Sequence, residues 1–172
     1  VAVGMGSLDA NTTGDNNVAV GGQALGANTT ADNNTSIGYG ALKTNTTGTN
    51  NTALGKGALC LNTTASGNTA IGADAMCDHT QTGVENTAVG QGAQQKNTEG
   101  YYNTSVGKNS LVNVTTGDNN ISLGRDSGSD AVRNITTGDN SIVLGNNSSA
   151  TAHIKIDWTV TSYLRDKTEI ED

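Results

Sequence analysis

Aliphatic side chains along most of this chain come in short bursts set among Asn, Thr, Gly and Asp, and the bursts keep phase. A glycine preceded by Val, Ile or Leu recurs at Gly4, Gly21, Gly38, Gly55, Gly72, Gly90, Gly107, Gly124 and Gly145, at spacings of 17, 17, 17, 17, 18, 17, 17 and 21 residues. One coil reads Asn-Thr-Ala-Ile-Gly, two variable residues, Ala-Leu, two more variable residues, then Asn-Thr-Thr-Gly-Asp-Asn. The first piece (17–20, 34–37, 51–54) alternates as a half-buried strand does. The second (23–28, 40–45, 57–62) carries an aliphatic residue at one fixed place, Leu8, Leu25, Leu42, Leu59, Met76 and Leu111, a column broken at Gln94 and Gly128. The pattern predicts two short strands per coil, joined by a glycine corner and a Gly-Asp-Asn turn.

A period this short marks an array whose coils bury apolar faces by stacking on their neighbours. Helix is excluded by 23 glycines, by abundant Asn and Thr, and by an apolar spacing that is not 3.6. No proline interrupts the backbone donors. The expected fold is therefore all-β, a parallel β-helix or β-roll solenoid of 17-residue coils over residues 1–145, about eight coils long. Two columns admit only small side chains: Ala2, Ala19, Ser36, Ala53, Ala70, Ala88, Ser105 and Ser122, and Ser7, Ala24, Ala41, Ala58, Ala75, Ala93, Ser110 and Ser127. Those faces meet another backbone closely, across a thin coil or against a neighbouring chain. Two buried aliphatics per coil stabilise it by less than ordering its backbone costs. The shortfall points to burial against sister chains, and a homotrimeric fibre is the expected assembly.

With 33% apolar residues, no Phe and 3% aromatics, a compact core is excluded, while apolar residues in fixed phase argue against disorder. A net charge of −7 without a Lys/Arg cluster sets nucleic acid aside. No run of apolar residues is long enough for membrane insertion. The chain begins in mid-repeat, as a piece of something longer would.

The repeat is interrupted by one inserted residue in the 78–83 turn and by four in 125–138. Such turns bulge outward and are candidate contact surfaces. Beyond Gly145 the alternating stretch 153–161 reads as a separate β-segment within 146–161, and charge gathers in 165–172.

Val18-Ala19-Val20-Gly21 and Asn68-Thr69-Ala70-Ile71-Gly72 resemble the head repeats of trimeric autotransporter adhesins of the YadA type, a likeness covering residues 1–145. It implies a left-handed parallel β-roll with three chains side by side. The stretch from Thr161 to Ile170 is similar to the opening of the intramolecular chaperone domain that ends phage tail fibres, tail spikes and endosialidases. That resemblance makes 162–172 the start of a chaperone-like region. It implies self-cleavage before Ser162, with Arg165 and Lys167 on the pattern, although Tyr163 stands where that family has Asp. Together the two resemblances imply a phage tail fibre, on the virion tail or otherwise extracellular, that attaches to a host surface glycan or protein. A bacterial surface adhesin head is the alternative.

Candidate chemistry is sparse. Cys60 and Cys77 each lie five residues after a pivot glycine in consecutive coils. If one chain stacks its own coils their α-carbons fall about 4.8 Å apart, within disulfide range; two unpaired thiols, or a pair separated in an interwoven assembly, remain open. Asp15, Asp32, Asp118 and Asp139 offer oxygen ligands for calcium, but turn chemistry explains them without metal. The column Asn11, Asn28, Asn45, Asn62 and Asn97 predicts a hydrogen-bonded ladder. The Thr pairs 12–13, 29–30, 46–47 and 63–64 raise an ice-binding reading, which Gln81 and Glu99 interrupt. His79 and His153 belong to no motif, and neither a carboxylate pair nor a cofactor fingerprint is present. An enzyme, such as a polysaccharide-cutting tail spike, is therefore not expected. Tyr39, Tyr101 and Tyr102 are candidates for stacking on sugar rings.

Overall fold

The computed structural model describes residues 1–78, 82–131 and 133–149. Its regular elements are nine short strands: β1 (Ala2–Val3), β2 (Val18–Val20), β3 (Thr35–Ile37), β4 (Thr52–Leu54), β5 (Thr69–Ile71), β6 (Thr87–Val89), β7 (Thr104–Val106), β8 (Ile121–Leu123) and β9 (Ile142–Leu144). They pair in chain order into one parallel sheet. The register is the sequence repeat itself, with Ala19 opposite Ser36, Ser36 opposite Ala53 and Ala53 opposite Ala70. The chain is thus a parallel β-solenoid. Across the coil with one extra residue, Ala70 still meets Ala88, so the register of the sheet is kept.

Each coil contains one strand, not two. The segment after the pivot glycine is a run of tight turns, with Ala41 N–H bonding Gly38 O and Asn45 N–H bonding Leu42 O. Its aliphatic residue lies in the left-handed region, at φ 50° for Leu25, 47° for Leu42, 52° for Leu59 and 53° for Met76. A pleated strand is impossible with that backbone, which ordinarily costs a branched residue on the order of 1 to 2 kcal/mol. Burial of the whole side chain offsets the cost, because the twist aims each of these residues into the centre of the coil, where all four are fully buried. Coil-to-coil bonds persist here without strand geometry, as in Leu42 N–H to Ala58 O and Leu59 N–H to Ala75 O at 3.0 Å.

Both small-residue columns face inward. Ala19, Ala53, Ala70 and Ala88 from the sheet, and Ala24, Ala41, Ala58, Ala75 and Ala93 from the turns, form one core with the Leu column. The close approach they require is across a thin coil. The aliphatic residue before each pivot glycine points the other way, out of the sheet, so only one large aliphatic per coil is interior, in place of the expected two.

The pivot glycine is required by that thinness. Gly55 has φ 137°, and a Cβ there would stand 2.6 Å from the carbonyl carbon and oxygen of Gly72. Successive corners stack backbone on backbone, and no side chain fits between them.

Asparagine closes the opposite side. Asn28, Asn45 and Asn62 each donate Nδ2–H to the Oδ1 of the Asn one coil earlier, at 2.8, 3.2 and 2.9 Å. A second column, Asn17, Asn34, Asn51, Asn68, Asn86, Asn103 and Asn120, is also buried. In it each Oδ1 accepts the backbone N–H of the equivalent residue one coil on, as from Asn51 to Asn34 at 3.0 Å, from Asn68 to Asn51 at 2.9 Å and, at the end of the column, from Ser141 to Asn120 at 2.9 Å. Its Nδ2 donates to the turn carbonyl beside it, as from Asn51 to Ala65 at 2.9 Å. An amide suits this place because it supplies a donor and an acceptor together, and a buried backbone group must be paired.

The two breaks in the Leu column are repaired internally. Gln94 is fully buried, and its Nε2 reaches Thr87 O, Asn103 O and Ser105 Oγ at 2.9, 3.2 and 3.1 Å. At Gly128 the missing side chain leaves room for Leu111. Val114 and Ile135 replace Asn in the neighbouring column and build a second small core with Leu111.

Candidate functional site

The outer face of the sheet carries two ranks. Strand residues i and i+2 share a face, so burying Ala53 turns Thr52 and Leu54 outward. The first rank is mainly Thr (Thr35, Thr52, Thr69, Thr87, Thr104), giving way to Ile121 and Ile142. The second is wholly aliphatic: Val3, Val20, Ile37, Leu54, Ile71, Val89, Val106, Leu123 and Leu144. Six of its nine members are exposed, and Leu54 and Leu144 keep 43% and 53% of their surface. Nine strands at about 4.8 Å make this apolar rank roughly 38 Å long.

Tyr101 and Tyr102 lie at the turn before β7, both exposed, with ring centroids 6.3 Å apart and planes inclined by 42°. The backbone beneath them is held by the coil ladder. Tyr101 N–H donates to Asp118 Oδ1 at 2.8 Å, Asn119 N–H to Tyr101 O at 2.9 Å and Tyr102 N–H to Val84 O at 3.3 Å. Tyr39 is not brought to them: it follows β3 at the other edge of the sheet, its ring lying over Gly22.

Cys60 and Cys77 are joined by a disulfide, with α-carbons 5.1 Å apart. It lies at a defect. The residue following this position bonds to the next coil in Ala10 N–H to Gly26 O, Ala27 to Lys43, Thr44 to Cys60, Asp78 to Gln95 and Lys96 to Val112. The corresponding rung from Leu61 to Cys77 is not made. The covalent link stands where the ladder fails, next to the 78–83 turn with its inserted residue.

The turn carboxylates act as ladder acceptors. Asp32 Oδ1 accepts Asp15 N–H at 2.6 Å, and Asp139 Oδ1 accepts Asp118 N–H at 2.7 Å, the role Ser66 Oγ plays for Thr49 N–H. Among the described residues no three His, Cys, Asp or Glu side chains are grouped to hold a metal ion. The first Thr of each pair is similarly engaged, with Thr12 Oγ1 bonding Thr29 O at 2.9 Å and Thr46 Oγ1 bonding Thr63 O at 3.1 Å. The second of each pair is exposed, as is Thr12 in the first coil, whereas Thr29, Thr46 and Thr63 are half-buried.

The 125–138 insertion folds back on itself through an antiparallel bridge between Ser129 and Asn134. Asp130 fastens it, accepting Arg133 N–H at 2.9 Å and Asn147 N–H at 2.7 Å. Arg133 Nη2 reaches Ser141 Oγ at 3.0 Å beside an open groove of about 400 Å³.

Ser162, Tyr163, Arg165, Lys167, His79, His153 and the 153–161 segment lie outside the described residues. The outer aliphatic rank and the second Asn column are the features that the repeat pattern alone did not assign. Their signal was present: Asn stands two residues before the small strand residue in coil after coil, and an alternating strand with Ala inside must put its aliphatics outside. Compared with protein-family models, curated proteins and solved structures, the chain matches none.

Proposed function

We propose that this chain is the shaft of a structural and adhesive fibre, associating as a homotrimer through its outer sheet faces and presenting its turns to a host cell surface. The carrying observation is the continuous aliphatic rank on the outside of the sheet. Monomeric soluble proteins rarely leave an apolar stripe of this length in water. Covering it contributes roughly 1 to 2 kcal/mol per aliphatic residue of the rank. Three such faces closed about one axis leave no rank uncovered.

The resemblance of the tail to the chaperone opening of phage fibres favours a virion tail, and the resemblance of the coil to adhesin heads supports a bacterial surface adhesin as the alternative. A Cys60–Cys77 bridge suits an extracellular setting in either case. Neither reading requires catalysis or a cofactor, and cleavage before Ser162 belongs only to the phage reading.

The test is the mass in solution by analytical ultracentrifugation. A trimer that falls apart in Leu54→Glu/Ile71→Glu, with its β-sheet circular dichroism unchanged, supports the proposal, because neither side chain contributes to the coil interior. A wild-type chain that remains a well-behaved monomer refutes it.

A further inference from the structure

We propose that Tyr101 and Tyr102 form a stacking platform for an uncharged saccharide, an assignment that rests on the attachment reading and names its ligand class. The argument begins with a backbone anomaly. At the turn position immediately before the buried Asn, coil after coil adopts a left-handed conformation, with φ between 54° and 72°. Asn16, Asn33, Asn50, Asn119, Asn140 and Gly67 occupy it, residue types that accept this region at little cost, while Glu85 and Tyr102, in consecutive coils, are the two departures. Tyr102 adopts it at φ 58°. The leucines of the core are also left-handed, but they are buried. Tyr102 keeps 56% of its surface, so no comparable burial offsets its strain. An exposed bulky residue where Asn would serve the fold better points to a role outside the fold.

The site's geometry specifies that role. Two adjacent rings inclined by 42° form an open V on a backbone fixed by three inter-coil hydrogen bonds. Tyrosine presents a rigid apolar face and a phenolic tip at small entropic cost. The apolar part is the two rings with the half-buried Val84 of the preceding coil. Along the same turn the neighbouring coils contribute Glu85 before Tyr102, and Asp118 and Asn119 after Tyr101 and Tyr102. So small an apolar patch in a polar surround is unlike the core of a protein–protein interface. It matches a pyranose, whose C–H face stacks on an aromatic ring while its hydroxyls donate to amide and carboxylate oxygens. The acidic surround and the net charge of −7 disfavour acidic sugars and nucleic acid.

The experiment is NMR of the full chain with 13C-labelled tyrosine rings, titrated with maltotetraose and with a β-1,4-linked N-acetylglucosamine tetramer. With only four tyrosines, each ring signal is assignable by substitution. The expected result is a saturable shift of the Tyr101 and Tyr102 signals, with Tyr39 unmoved. Tyr102→Asn should weaken binding about tenfold or more while leaving the melting temperature unchanged or raising it by about 2 to 4 °C. Tyr102→Phe should retain binding. Tyr101 and Tyr102 signals that stay fixed with both sugars up to about 1 mM, the weak limit of specific recognition, overturn the proposal. So does a lower melting temperature or altered assembly mass in Tyr102→Asn, which would make the rings a packing or interface element. The assembly mass, measured on the same sample, separates the two readings: a trimer without sugar binding sinks only the platform, whereas a monomer sinks the shaft.

Discussion

Opening the Cys60–Cys77 bridge should weaken the solenoid at one seam and nowhere else. The bridge closes a loop with a sequence separation of 17 residues. In the chain-entropy treatment a loop of that length restricts the unfolded ensemble by about 3 kcal/mol at 25 °C. At the bridge the backbone ladder is locally interrupted, because the rung from Leu61 to Cys77 is missing while its counterparts in neighbouring coils are made at 3.0 to 3.3 Å. In a stacked array each coil interacts chiefly with its neighbours, so a weak interface opens locally before the remainder unfolds. Hydrogen–deuterium exchange of oxidised and reduced protein, or of Cys60→Ser/Cys77→Ser, is the direct assay. Amides that bridge the seam, those of Leu59, Gly72 and Asp74, should exchange up to about 100-fold faster when the bridge is open, the factor corresponding to most of 3 kcal/mol. Amides of β2 and β3 should not change. Removing one residue from the 78–83 turn, which restores the 17-residue period, should shrink the difference by allowing the missing rung to form. Equal protection at the seam with and without the bridge would refute the reasoning, as would a loss spread evenly over all coils.

Gly55→Ala should destabilise by on the order of 2 to 3 kcal/mol, since the new Cβ meets the Gly72 carbonyl at 2.6 Å and φ is 137°; thermal or chemical denaturation checks it. Asn51→Ala leaves the Asn68 N–H unpaired in the interior and takes from the Ala65 carbonyl one of its two donors, Asn62 Nδ2 being the other. It should cost about 2 to 4 kcal/mol, against less than about 0.5 kcal/mol for the exposed Thr47→Ala, measured side by side in urea. Gln94→Ala removes contacts to Thr87, Asn103 and Ser105 together, so the loss should exceed about 2 kcal/mol; a cost below 0.5 kcal/mol would show that water or a neighbour takes over its bonds.

The sequence by itself determined the repeat length, the parallel stacking and the order of the coils, because a 17-residue period with inserted residues confined to turns permits one register and no other. It also placed Cys60 and Cys77 at equivalent points of consecutive coils, and Tyr101 next to Tyr102. It did not reveal that the turn leucines are left-handed, because propensity argues against that backbone and only complete burial makes it tolerable. Nor did it reveal which side of the strand is the inside. Alternation separates Thr52 and Leu54 from Ala53, and transfer energy alone would put Leu54 in the core. The tertiary structure decided otherwise, for a steric reason. The coil is so thin that its corners touch backbone to backbone at Gly55 and Gly72, and the space behind the sheet is already filled by Leu59 and its equivalents from the turns. Only a methyl or hydroxymethyl group fits there, so the aliphatic rank is left outside, where a second chain can cover it.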